Sequence, residues 1–212
     1  MGISIPYLQE GMTVFNWRLG HSFRLCQQIR NSLFTIQETL RKEVPGISDP
    51  LTISGSLTVF NPNFPVVRIA AEADYALSLA KDNGKNKIAV FGEVLSWQEF
   101  ENAGKNAALL KSAIATGGES RGFLERVKSS EIGFRSLQEK AVNFNSIEFP
   151  KVYRLKYYLR NVKRENQPII EQIFETYKNA LIADFISPNK LSSAAQFPVA
   201  ARWAELLTKN NA

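Results

Sequence analysis

The chain has one histidine, His21, and one cysteine, Cys26, among its 212 residues. They lie five positions apart, so on a helix they do not stack as neighbours three or four apart would. Cys26 falls in an apolar stripe and reads as a buried structural thiol. His21 sits near a helix start and reads as a surface or capping residue. So few soft ligands are too few for an ordinary structural zinc site, and no internal disulfide is possible. No DxD, HExxH, Walker A, GxGxxG or GxSxG run is present. The carboxylates are scattered, without the pair that two metal ions need. From the residues alone, no catalytic residue and no metal ligand is expected.

Two basic stretches remain. In "AKDNGKNK", Lys81, Lys85 and Lys87 surround a point where a helix hands over to a strand. Flexible ammonium groups suit phosphates. Lysines at a helix C-terminus also complement the helix dipole and keep a turn solvated. The second stretch is "YRLKYYLRNVKR", residues 153–164. It interleaves Tyr153, Tyr157 and Tyr158 with Arg154, Lys156, Arg160, Lys163 and Arg164. Such a mixture can bind nucleic acid through phosphate contacts and stacking. An amphipathic helix with Leu155, Tyr158 and Val162 inward and its charges outward explains the same residues.

Elements must position these groups. Phe23, Cys26, Ile29, Leu33, Ile36 and Leu40 recur at steps of three or four, which predicts a helix over 21–40 with Ser22 as a candidate cap. Val44-Pro45-Gly46 stops it. "LTISGSLTVF" at 51–60 alternates apolar and hydroxyl residues and reads as a strand. Gly55 inside it points to a bulge or a close backbone approach. "NPNFP" is a turn. A second helix spans 66–81, with Val67, Ala70, Ala71, Ala73, Ala76, Leu77 and Ala80 as its expected buried face. Asn83-Gly84 ends it, and "KIAVFG" follows as a short strand. In "VLSWQEFENAGKNAALLKSAI", Ser96 and Glu99 form a capping box that opens a third helix. "ATGGESRG" at 115–122 marks a boundary. Beyond it, 122–144, 147–163, 166–186 and 196–210 read as mainly helical. "KNAALLKSAI" and "ARWAELL" read as core or subunit-contact helices.

The totals agree with a folded chain of one domain or two small ones, with 44% hydrophobic and 22% charged residues. A net charge of +6 raises the expectation of a polyanionic partner. No apolar run suits a membrane span, and the first residues fit neither a secretory signal nor a myristoylation pattern, so a cytoplasmic location and no membrane are expected.

Several of these stretches together resemble a known family. "EADYALSLAKDNGKNKIAVF" is similar to the closing helix-turn-strand of GGDEF-type cyclase domains. With "LTISGSLTVFNPNFPVVRIA" before it and "GEVLSWQEF" after it, the sequence resembles the second palm domain of the large signature subunit of type III CRISPR effector complexes, of the type III-A kind. "RGFLERV", "RLKYYLRNV" and "AARWAELL" are similar to that subunit's C-terminal helical domain, so the resemblance covers residues 13–212. It implies an α+β fold: a partial ferredoxin-like palm over 1–116, truncated at its N-terminus, then a helical bundle over 117–212. It also implies that Lys81, Lys85, Ser54 and Gly55 lie against a nucleotide's phosphates, with Lys87 a weaker candidate. Arg154, Lys156, Arg160, Lys163 and Arg164 are the expected nucleic-acid or partner contacts.

The family's subunit makes cyclic oligoadenylates from ATP through a metal-binding GGDD hairpin. Here "YLQEGMTVFN" precedes Trp17, with no GGDD and no aspartate before Asp49. The expectation is a catalytically deficient part of that subunit, contributing to assembly, to nucleotide and RNA contact, and to antiviral defence. Its partners would be other type III subunits and guide or target RNA. The alternative is half of a split cyclic oligoadenylate synthetase. ATP would then bind, with Mg²⁺ or Mn²⁺ only if a partner supplied the aspartates. A sheet lacking that hairpin is also expected to expose edges and to associate.

Overall fold

The computed structural model describes residues 19–43, 52–60, 64–129, 156–157, 160–186 and 195–209. Among these, six helices of eight residues or more accompany one three-stranded sheet, an α+β architecture. The elements are α1 (Leu19–Glu43), β1 (Gly55–Leu57), α2 (Val66–Asp82), β2 (Lys87–Val90), β3 (Glu93–Ser96), α3 (Trp97–Ala115), α4 (Gly122–Ser129), α5 (Gln167–Ile186) and α6 (Gln196–Lys209).

The sheet order is β1-β2-β3. β1 and β2 run parallel with Gly55 opposite Ile88, and α2 is the crossover between them. β2 and β3 form an antiparallel hairpin with Lys87 opposite Ser96. Its two-residue turn, Phe91-Gly92, has positive φ at both positions, 55° and 86°. That is the mirror-image turn whose twist matches a hairpin. Alternation sorts the strands' side chains between two layers. Ala89 and Val94 meet Ala76, Leu79 and Ala80 of α2. Ile88, Val90 and Leu95 join the main core, shared with α3, α4, α5 and α6. That core runs across residue 116, so the sheet-bearing and helical segments share one apolar interior.

Several expectations are corrected. The strand expected over 51–60 forms ladder only at Gly55–Leu57, because β2 is four residues long and turns away after Val90. β3 was read as the lead-in to the third helix. The helix begins at Trp97, and Glu93–Ser96 pair with β2 instead. Ser22 lies inside α1, whose helical backbone already starts at Leu19. Val67, Ala70 and Ala71 face solvent, since α2 turns its Ala76–Ala80 side to the sheet. The apolar stripe of α1 is only partly covered: Cys26 packs on the main core, while Ile29 and Ile36 are exposed. The helices expected over 122–144 and 147–163 fall largely outside the described residues, and α4 accounts for 122–129. Where residues 160–163 are described they are turn and irregular backbone, not helix. The expected turn at 61–63 also lies outside them. No helix among the described residues is long and apolar enough to cross a membrane.

Two interactions at element ends set up clear tests. At the start of α3 the Ser96 hydroxyl accepts from the Glu99 amide at 3.2 Å, and the Glu99 carboxylate accepts from the Ser96 amide at 2.7 Å. Ser96→Ala removes one side of this reciprocal cap and lowers unfolding free energy by about 1 kcal/mol, read by urea titration. Between α4 and α6, the Lys128 ammonium sits 2.9 Å from Glu205 and also pairs with Glu125. Burial pulls its pKa down, but hydrogen bonds and attraction from the two carboxylates outweigh that and raise it above the usual lysine value. A raised folded pKa gives stability that is complete below the unfolded value and lost as pH climbs through the folded one. Urea midpoints from neutral to strongly alkaline pH therefore fall for the native chain, and the fall is shallower in Glu205→Gln.

Candidate functional site

The parallel register brings one group of expected site residues together. Gly55 aligns with Ile88, so Ser54 aligns with Lys87, at the end of the sheet where α2 finishes and the 83–86 turn begins. Ser54, Gly55, Lys81 and Lys85 thus share one end of the βαβ unit. Lys81 lies in the last turn of α2 and Lys85 in the turn itself, both exposed.

Backbone hydrogen bonds close that turn tightly. The Asn83 amide donates to Leu79 O at 3.2 Å, and the Gly84 and Lys85 amides both donate to Lys81 O, at 3.2 and 3.1 Å. The Asn83 side chain also donates to Leu79 O at 2.8 Å. These bonds satisfy carbonyls that a helix end leaves open. Three consecutive residues then have positive φ: Gly84 at 106°, Lys85 at 56° and Asn86 at 50°. Glycine accepts this region freely, whereas lysine carries a steric cost there. The Lys87 ammonium donates to Asn83 O at 2.7 Å. It braces the turn, while Lys81 and Lys85 supply two exposed ammonium groups at its rim, a placement that suits an anion.

Gly55 has a packing role in this structure. A Cβ built on it would lie 3.4 Å from Cη2 of Trp97. The indole Nε1 donates to Ile53 O at 3.0 Å. The neighbour close to Gly55 in this structure is therefore the Trp97 indole. Neighbouring Ser56 donates its hydroxyl to Ala73 O at 3.2 Å, tying β1 to α2.

The second basic group lies elsewhere, ahead of α5. Arg154 falls outside the described residues. Lys156, Arg160, Lys163 and Arg164 are all exposed. The Arg160 guanidinium carbon stands 6.0 Å from the ring centre of Tyr157, which is itself 61% exposed. Val162 turns inward to the core. A clasp holds this turn. Glu119 accepts from the Lys163 amide at 2.7 Å and from the Asn166 side chain at 3.0 Å, and Asn166 also donates to Gly117 O at 3.1 Å. Asn166 is buried at the head of α5. Its O accepts from the Ile170 amide at 3.2 Å. Sequence reading missed this clasp, because Glu119 and Asn166 have no local pattern linking them.

Burial raises the Cys26 thiol pKa, which keeps it protonated and a weak nucleophile. Among the described residues, no group of three or more histidine, cysteine, aspartate or glutamate side chains is placed to hold a metal ion.

Lys85→Gly separates stability from binding at the first site. Removing the left-handed lysine stabilises the chain by about 1 kcal/mol, seen as a higher thermal midpoint. If the turn holds a phosphate anion, the same change also weakens ATP binding titrated by calorimetry, because one of the two rim ammonium groups is gone. A variant that loses stability shows that the lysine's conformation is supported by contacts stronger than its strain. Comparison with protein-family models, with curated proteins and with solved structures finds no match for this chain.

Proposed function

We propose that this chain is part of the large signature subunit of a type III CRISPR-Cas effector complex, of the type III-A kind. Its role is to assemble with the other subunits and to contact guide or target RNA and a nucleotide, in antiviral defence in the cytoplasm. The reading comes from the sequence resemblance. The structural observation that supports it is the continuity of the resembling motifs. "TISGS", the alanine-rich helix ending in Lys81, the basic turn and "KIAVFGEVLSW" supply β1, α2, β2 and β3 of one sheet unit leading into α3.

In this reading the unit is a partial ferredoxin-like palm, and the helices from α4 onward belong to the C-terminal helical domain. Lys81 and Lys85 would hold the phosphates of ATP, since exposed ammonium groups at the end of a βαβ unit fit a polyphosphate. Ser54 lies at the same end. The basic residues from Lys156 to Arg164 would meet RNA or a neighbouring subunit. The sequence lacks the paired aspartates of a GGDD hairpin. Mg²⁺ or Mn²⁺ and in-line phosphoryl transfer would therefore need a partner chain to supply them.

The test is ATP turnover and co-purification, on the chain alone and with type III-A subunits and target RNA added. Stable co-purification with those subunits, and no product from the chain alone, is the expected outcome. Oligoadenylate made only with partners present identifies the split-synthetase alternative. Failure to assemble with any type III-A subunit overturns the proposal.

A further inference from the structure

The turn before α5 is built like a landing place for a single nucleic-acid strand. Four basic residues, Lys156, Arg160, Lys163 and Arg164, fall within nine positions that contain no acidic residue. All four are exposed. Beside them Tyr157 shows 61% of its surface, an unusual amount for a large ring that is not part of a core. Arg160 lies over that ring at 6.0 Å, within cation–π range. A flat aromatic face next to an arginine plane and flanked by ammonium groups gives both halves of strand binding. The ring and guanidinium stack on a base, and the charges follow the phosphates.

The backbone at the Lys163 end of this stretch is held by the clasp. Glu119 holds the Lys163 amide, and the buried Asn166 amide bridges Glu119 and Gly117. Of the two nearby acids, Glu119 is engaged in the clasp, while Glu165 beside Arg164 is exposed and leaves a net surplus of three positive charges over residues 156–165. A turn held in this way loses less freedom on binding than a loose one.

We infer that Tyr157, with Arg160, forms a base-stacking platform in a single-stranded RNA-binding turn completed by Lys156, Lys163 and Arg164. This rests on the nucleic-acid part of the function proposed above and makes it more specific. The strand is single because an exposed ring can stack only on a base that is not already buried in a duplex.

The test uses the full chain and fluorescently labelled 15-nucleotide oligo(U), a DNA strand of equal length and an RNA duplex, read by anisotropy across a salt series. Single strands bind and the duplex binds at least tenfold more weakly. Four phosphate contacts give a slope of log K against log salt of about −3. Tyr157→Ala weakens single-strand binding by roughly tenfold with little change in that slope. Tyr157→Phe restores binding, because the ring and not the hydroxyl does the stacking. Lys163→Gln with Arg164→Gln lowers the slope by about 1.4. Preference for DNA over RNA overturns the assignment to RNA. Equal binding of duplex and single strands, or a Tyr157→Ala variant that binds as tightly as the native chain, overturns the inference. Co-purification with type III-A subunits is scored separately, so a chain that assembles without binding RNA loses only this inference.

Discussion

Trp97 is the side chain through which the two halves of the structure are joined. Its indole packs beside Gly55 and donates to Ile53 O, tying β1 to the start of α3. Its ring meets Phe100 edge-on at 6.1 Å, and Phe100 stacks on Trp203 of α6 at 5.4 Å. A continuous line of aromatic contact therefore runs from the edge strand, through the first turn of α3, to the last helix. Aromatic pairs of this geometry contribute about 0.5–1.5 kcal/mol each beyond the area they bury. A Cβ at position 55 would meet the Trp97 ring at an ordinary contact distance, so the strand and the indole are in close van der Waals packing here.

The packing around this line continues one apolar cluster from the sheet into the helices after α3. α3 and α6 make the most extensive helix pairing among the described elements. Ala103 and Ala107 on one helix, with Ala200, Ala201 and Ala204 on the other, are all buried. Small residues let two helix backbones approach, and the large rings fill the ends of the contact. Phe123, Leu124 and Val127 of α4, then Ile170, Ile173 and Tyr177 of α5, close the same core. The two basic sites lie on opposite sides of this arrangement in the chain. One is carried by the end of the βαβ unit. The other is held by the clasp between the α3–α4 connection and the head of α5. Both depend on rigid neighbours more than on contacts among the basic residues themselves.

Much of the fold was legible locally. The bounds of α2, the Asn83-Gly84 stop and the Ser96–Glu99 capping box follow from residues within one or two turns of each other, where propensity and capping decide. Periodicity marked strands before residue 116 and helices after it, and marked "KNAALLKSAI" and "ARWAELL" as core or subunit-contact helices, of which the core role is the one seen. β3 was missed because "EVLS" runs directly into a helix with a strong cap, and the hairpin signal was a Phe-Gly turn, less familiar than Asn-Gly. The buried face of α2 was half misassigned because an alanine-rich helix has no sharp apolar contrast. In the candidate sites, lysines 81 and 85 and the tyrosine–arginine stretch were visible as composition. The clasp that orders the second stretch was not, because 47 residues separate Glu119 from Asn166.

By itself the sequence determined where helices start and stop, which turns demand glycine, the surplus of positive charge, and the absence of a GGDD motif. Those are properties of single residues and near neighbours. Only the tertiary structure decided that Gly55 packs beside the Trp97 indole, that Ser54 shares one end of the βαβ unit with Lys81, and that Glu119 clasps Asn166. Each of these depends on which surfaces a strand register or a helix pairing brings together. Register and pairing are set by the summed burial of many side chains, which no local stretch encodes.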